Sequence, residues 1–380
     1  MLRLLTSNSR RQQFFTLLIF FASYLWYRVF STSVLPPYYL NQGISYQQMA
    51  LGSVFAFLSA AIIVVVLSRI RSLISWRLAL LCYVCFLFLV IYLSSPWQFY
   101  LAHVFVGLAI ILFWVPYNIV HYKLTPKHRT GYSSAILFSI PPLVSLIAPL
   151  LAGFLAQIDY KYIWIFSFLF FLIPVYLSKF QKNILIKFNF KASLQEIKST
   201  RILFFLQAIW EAVIFSVIPI FSLFFIKSPA KYGIYLAYLS LMAILANLTL
   251  GHITDKLQKR TIFLYPLTII LAITTLLFPL ALKNITWWII ITGIIQFIVP
   301  LFWNMVTSMV VDVHQNLNRA FIGREFVLSV GRAIGIFAVF INFYFQSPPT
   351  YIFYFLGGIM LLFPIVLFYN TKISKRYNYL

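Results

Sequence analysis

Long apolar runs alternate with short polar turns along the whole chain. A helix needs about 20 apolar residues to cross a bilayer, and twelve runs reach that length: near 14–39, 47–67, 74–94, 97–120, 132–157, 160–178, 202–226, 232–250, 261–282, 285–310, 322–345 and 351–369. Lipid cannot satisfy bare backbone amides, so the pattern predicts twelve helices rather than strands. Prolines at 116, 141, 142, 149, 219, 300 and 364 fall inside these runs and predict kinks. The longest polar interruption, 179–201, divides the runs six and six, which predicts an N-terminal half at 1–178, a linker at 179–201 and a C-terminal half at 202–380. Within the linker, Lys187-Phe188-Asn189-Phe190-Lys191 and Glu196-Ile197-Lys198 read either as an amphipathic segment on the inner leaflet or as a plain connection.

Composition supports the membrane reading. The 380 residues are 62% hydrophobic and 9% charged, against about a quarter charged in soluble domains. The net charge of +23 does not point to nucleic acid, because the cations sit between apolar spans, where topology and anionic membrane lipids account for them. With the N-terminus placed inside, 22 of the 29 Lys and Arg fall in inside segments, and only Lys161, Lys227, Lys231 and Lys283 fall outside. This asymmetry predicts a multi-pass protein of the cell membrane with both termini cytoplasmic. Arg3, Arg10 and Arg11 precede a first run too long for a cleaved signal, so that run is read as a retained span. Cys82 and Cys85 lie in an apolar run with no acid or His beside them and read as small core residues. No metal cluster, nucleotide loop or catalytic triad is present in the sequence, so no cofactor and no catalytic residue is expected.

One turn concentrates charge: Gly251-His252-Ile253-Thr254-Asp255-Lys256-Leu257-Gln258-Lys259-Arg260, between the eighth and ninth runs. The spacing of Gly251, Asp255, Lys256, Lys259 and Arg260 resembles the loop signature of the major facilitator superfamily of transporters, with Gln258 where that pattern has its second Gly. Two short echoes between the halves point the same way. Leu112-Phe113-Trp114 in the fourth run recurs as Leu301-Phe302-Trp303 in the tenth, and Val34-Leu35-Pro36 resembles Val217-Ile218-Pro219. The first-half counterpart of the loop, near Leu67-Ser68-Arg69-Ile70-Arg71, keeps the cations but lacks Gly and Asp. The resemblance implies an all-α integral membrane fold, about twelve helices in two pseudo-symmetric six-helix bundles. It also implies that the first and seventh helices line a central cavity, and that Asp255 helps close a cytoplasmic gate against a helix N-terminus or an Arg of the other half.

Charges at bilayer depth are costly, at least about 2.5 kcal/mol each, and mark sites. Arg28 lies in the first run beside Tyr24, and Glu211 lies in the seventh beside Gln207 and Trp210. The two are expected to face the cavity from opposite halves, pairing directly or bracketing a substrate. Glu211 is then a candidate proton-exchanging group and Arg28 a candidate holder of an anionic group; the bland alternative is a structural ion pair locking the halves. Arg332 in the eleventh run is a further intramembrane cation, whereas Arg324 and Glu325 are expected at the inner boundary near Asp312 and Arg319. Helical spacing puts His103, Gly107, Trp114 and Asn118 on one face and Gly293, Gln296, Pro300, Asn304 and Thr307 on another. Of these, Trp114, Asn118, Gln296 and Asn304, together with Trp303, are candidate cavity residues, and Gly331 and Gly335 form a close-packing face.

These features favour a secondary transporter, not an enzyme, that moves a small solute by alternating access as a monomer, with protons as a candidate coupling ion. Two alternatives stay open: a membrane enzyme or lipid-handling protein using His121, His128, Asp312 and His314 near the inner leaflet, and a non-transporting sensor of the same fold.

Overall fold

The computed structural model describes residues 8–125, 130–254 and 260–373. The first half comprises α1 (Asn8–Thr32), α2 (Leu35–Asn41), α3 (Tyr46–Val66), strand β1 (Arg69–Arg71), α4 (Ser72–Ile91), α5 (Pro96–Leu124), α6 (Thr130–Ile158) and α7 (Tyr160–Ser178). The connection holds β2 (Leu185–Lys187) and α8 (Phe190–Glu196). The second half comprises α9 (Arg201–Trp210), α10 (Ile218–Phe221), α11 (Pro229–Thr254), α12 (Arg260–Leu276), α13 (Phe278–Ala281), α14 (Ile285–Val313), α15 (Leu317–Tyr344) and α16 (Thr350–Phe368). Among the described residues eleven helices are long and apolar enough to cross a membrane, and a twelfth apolar helix, Ile262–Leu276, is shorter. Side chains such as Ile62, Phe168 and Ile365 are exposed on the outer surface. An apolar surface of this extent is what a lipid-facing belt requires.

At the end away from the linker, the turns between helices are short and capped by their own polar residues. Ser45 and Gln48 form a reciprocal capping box at α3, with bonds of 3.3 and 2.8 Å. Ser95 caps α5, and Asn284 accepts from the Trp287 amide at 3.0 Å to start α14. Asp159 accepts from the Lys161 amide at 2.8 Å to start α7, and that bond holds its carboxyl below the usual carboxylate range. Such caps satisfy orphan amides and are worth about 1 kcal/mol each.

The two halves pack by the same scheme. Within the first, α1 packs on α6 and α7, and α5 on α3 and α4; within the second, α9 packs on α15 and α16, and α14 on α11 and α12. Between them α3 lies along α15 and α6 along α11. This is the pairing that a two-fold axis through the middle produces, and it makes two six-helix bundles related by pseudo-symmetry.

The linker does more than connect. β1 pairs antiparallel with β2, with Ile70 opposite Ile186. The Ser72 hydroxyl donates to the Lys182 carbonyl at 3.0 Å and accepts from the Ile184 amide at 2.9 Å. From there α8 packs on α15, with the Ser193 backbone against Gly323. The stretch expected on the leaflet surface or as a bare tether is therefore folded onto both bundles. Its alternating Ile186 and Phe188 are buried against protein, while Lys187 is exposed.

The seventh span is also less regular than a single 202–226 helix. α9 ends at Trp210, a π turn follows at Val213–Val217, and α10 resumes with Pro219 in its first turn. Proline lacks the amide that a continuous helix needs, and π turns frequently mark functional positions. Glu211 sits at this junction.

Candidate functional site

A cavity of about 640 Å³ opens between the bundles. Helices of both halves line it, including α1, α3, α5 and α6 from the first and α11, α14 and α15 from the second. Cross-bundle contacts are made at both ends of the molecule. At the linker end Tyr122 stacks on Phe321 with ring centres 5.4 Å apart, and the Asn247 amide donates to the Phe138 carbonyl at 3.1 Å. At the other end Tyr46 meets Phe224 edge-on at 4.8 Å, and Ser228 donates to Gln157 at 2.7 Å.

The centre of the site is Glu211, which is fully buried. Its Oε1 accepts from Gln207 Nε2 at 2.7 Å and from Trp303 Nε1 at 2.6 Å; its Oε2 accepts from Arg332 Nε at 2.6 Å. A carboxylate at this depth must be paired and hydrogen-bonded, and this one is both. The contact depends on how closely α15 approaches α9. Gly331 and Gly335 lie against Ala208 and Ile209, and any Cβ at either position would run into them. The guanidinium of Arg332 lies over two rings, Phe215 at 5.0 Å and Phe57 at 5.4 Å. Phe57 belongs to α3, so the counter-ion of Glu211 rests against the opposite bundle.

Arg28 projects into the same cavity from α1. It does not pair with Glu211, whose charge is met by Arg332; its guanidinium instead lies over Tyr83 at 6.0 Å. A second buried ion pair, Arg324 to Glu325 at 3.0 Å, also lines the cavity, with Arg324 bonded to Thr307 at 3.4 Å. These two residues, expected at the inner boundary near Asp312 and Arg319, stand as a buried pair at the cavity wall.

Of the residues singled out from sequence, Arg28, Trp114, Asn118, Glu211, Gln296, Trp303 and Arg332 line the cavity. Gln207 stands behind Glu211 as its hydrogen-bond donor. Trp210 is turned away, its indole donating to Thr275 on α12 at 3.0 Å. Asn304 is buried within the bundle, its side-chain oxygen accepting from Ser308 at 3.4 Å. Tyr24 is buried flat on Phe113, with ring centres 3.4 Å apart. Each of these three belongs to the helix-packing layer, because a one-residue step turns a side chain by about 100° around the axis. His103, on the face shared with Trp114 and Asn118, also lines the cavity, as do Phe57 and Phe215, which no sequence signal had marked. In a chain with 41 Phe, nothing separates a cavity Phe from a lipid-facing one before the helices are oriented.

In the loop signature, Gly251 lies in the last turn of α11 and Arg260 begins α12, while Asp255, Lys256 and Lys259 lie outside the described residues. Of the groups named for an inner-leaflet enzyme, His121 is buried in the first bundle, its Nε2 within 2.8 Å of Ser133 Oγ. His314 is in the second bundle, its Nε2 within 3.0 Å of Thr200 Oγ1. His128 lies outside the described residues.

No family model and no curated protein matches the sequence. Among solved structures, 229 chains match. One is the human organic anion transporter MFSD10 (TETRAN), similar with a TM-score of 0.69 at 12% identity, over 95% of this chain and 100% of that one. With two six-helix bundles packed through α3–α15 and α6–α11 and a solved relative in shape over nearly its whole length, the chain has the fold of the major facilitator superfamily.

Proposed function

We propose that this protein is a secondary transporter that moves a small solute through the interbundle cavity by alternating access, with Glu211 as the group that exchanges a proton. The observation that carries this reading is the Glu211–Arg332 pair at the cavity wall, with Arg332 resting on Phe57 of the opposite bundle. A proton arriving at Oε2 replaces the Arg332 N–H as that oxygen's partner. Arg332 is then released toward the cavity and toward Phe57, so the protonation state of one carboxylate biases how the bundles meet. Rocking of two rigid bundles about a fixed central site is the motion this symmetry supports. The proposal includes a cell-membrane location with both termini cytoplasmic, supported by the uneven distribution of Lys and Arg, and a gate role for Asp255. A human transporter of the same fold supports transport over catalysis, as does the separation of His121 and His314 into different bundles.

The test is flux in proteoliposomes. A pH gradient should drive solute accumulation in the wild-type protein. Glu211→Gln should lose the response to the gradient while keeping solute exchange at zero gradient. Gradient-driven accumulation by Glu211→Gln at the wild-type rate removes Glu211 as the coupling group.

A further inference from the structure

The charges facing the cavity do not balance. Among its described lining residues are three guanidiniums, Arg28, Arg324 and Arg332, and two carboxylates, Glu211 and Glu325. Arg332 is taken by Glu211 at 2.6 Å and Arg324 by Glu325 at 3.0 Å. Arg28 is left with the face of Tyr83, and no carboxylate among the described residues forms an ion pair with it. A ring face attracts a guanidinium by about 0.5–2 kcal/mol, well short of what a carboxylate supplies at this depth.

The surroundings of Arg28 show that it is held in place. Tyr24, one turn before it on α1, stacks on Phe113 and meets Tyr83 edge-on at 6.0 Å. Tyr27 meets Tyr83 edge-on at 6.4 Å. The hydroxyls of Tyr24, Tyr27 and Tyr83 are buried, Tyr24 against Tyr83, and among the described residues no polar group outside this trio satisfies them. Buried hydroxyls are seldom left so, and here Tyr24 and Tyr83 lie beside a cation that has no carboxylate partner among the described residues. The cavity it enters is lined on this half by the apolar and aromatic Leu25, Val29, Phe57, Val106, Ile110 and Trp114, with Thr32, Ser33, His103 and Asn118 among the polar groups.

We infer that Arg28 is the docking point for the negative group of an organic monoanion, whose apolar or aromatic body lies against Trp114 and Phe57. One charge is favoured over two because the other guanidiniums are already engaged, so a dianion has to break an ion pair to be satisfied. The volume of about 640 Å³ falls in the range of pockets that take drug-sized ligands. This inference names the substrate class of the cavity and so rests on its being a solute site.

The test uses four acid–amide pairs as probes: benzoate and benzamide, naphthalene-2-carboxylate and its carboxamide, indole-3-acetate and its acetamide, octanoate and octanamide. Each is measured on the purified full-length protein by thermal shift and by quenching of tryptophan fluorescence. At least one acid should bind and outcompete its own amide by about tenfold or more, the equivalent of one charge-assisted hydrogen bond. Arg28→Gln should remove that preference, and Arg28→Lys, which keeps the charge, should retain part of it. Equal binding of acid and amide across all four pairs overturns the inference whatever the variants do, and so does an unchanged acid preference in Arg28→Gln. If Arg28→Gln fails to fold, the comparison on wild type and on Arg28→Lys still decides. Proteoliposome flux separates this inference from the transporter reading. Acid-selective binding with no flux of any probe removes the transporter and leaves the anion site; transport of the amides as fast as the acids removes the anion site and leaves the transporter.

Discussion

Replacing Glu211 by Gln isolates one charge at the centre of the molecule. Glu211 is fully buried, and the Arg332 side chain is 12% exposed. Removing one member of a buried pair costs about 3–5 kcal/mol, because the other charge is left uncompensated. Two features place this site at the low end, near 3 kcal/mol by the same scale. Arg332 keeps its contacts with Phe57 and Phe215, and the amide oxygen of Gln can still accept from Gln207 and Trp303. What is lost is confined to Oε2, where an NH2 now faces the Arg332 N–H. Removing both charges, as in Glu211→Gln with Arg332→Met, should bring stability back to within about 1 kcal/mol of wild type, since paired charges can often be replaced by apolar groups without loss. The assay is reversible unfolding of the purified variants in one detergent at fixed lipid content, read as a double-mutant cycle. A coupling energy of about 2 kcal/mol or more is expected on the scale for groups in contact. Additive single-mutant effects, or a Glu211→Gln protein within about 0.5 kcal/mol of wild type, would refute the reasoning.

Three further outcomes follow from other parts of the structure. Gly335→Val should force α15 off α9 at Ile209 and cost about 1–3 kcal/mol by overpacking, and it should also lower gradient-driven flux by displacing Arg332; a flux assay on protein matched for folded fraction checks the second effect. Burial holds the His314 imidazole below its ordinary pKa, outweighing the pull of Glu196 in the other direction. The neutral ring is therefore the favoured native form, and its contribution is present above about pH 6.5 and lost as pH falls from there through the lower native value. Melting curves from pH 7.5 to pH 5 should thus fall more steeply for wild type than for His314→Gln. Ser72→Ala removes the two hydroxyl bonds to Lys182 and Ile184 and leaves only the Ser72 amide on the Ile184 carbonyl, so limited proteolysis should cut within 179–201 several times faster than in wild type, and equal cleavage rates would show that the β1–β2 pairing holds without them.

Much of the architecture was legible locally. Apolar length and polar turns fixed the number and order of the helices, since a span is defined by its own composition and the bilayer thickness. Caps such as Ser45, Asp159 and Asn284 each act on an amide two or three residues away, so helix starts are set locally as well. The depth of Arg28, Glu211 and Arg332 marked them as costly charges that need a reason. The partner of each was not legible. Arg332 and Glu211 are 121 positions apart, and their contact depends on how α9 and α15 are rotated and how closely Gly331 and Gly335 let them approach. The same rotation separates Trp303, which donates to Glu211, from Asn304, which packs against Ser308. It also turns Trp210 to Thr275 although Glu211 is its neighbour in sequence.

The linker shows the same division. Its polarity marked a break between halves, but a three-residue strand carries too little pattern to reveal a pairing across more than a hundred positions. The sequence by itself determined an all-helical membrane chain in two halves with a few ions at depth, because burial cost and helix length are properties of single segments. Only the tertiary structure decided that two of those ions satisfy each other and leave Arg28 without a carboxylate among the described residues, because pairing is a property of how separate helices face one another.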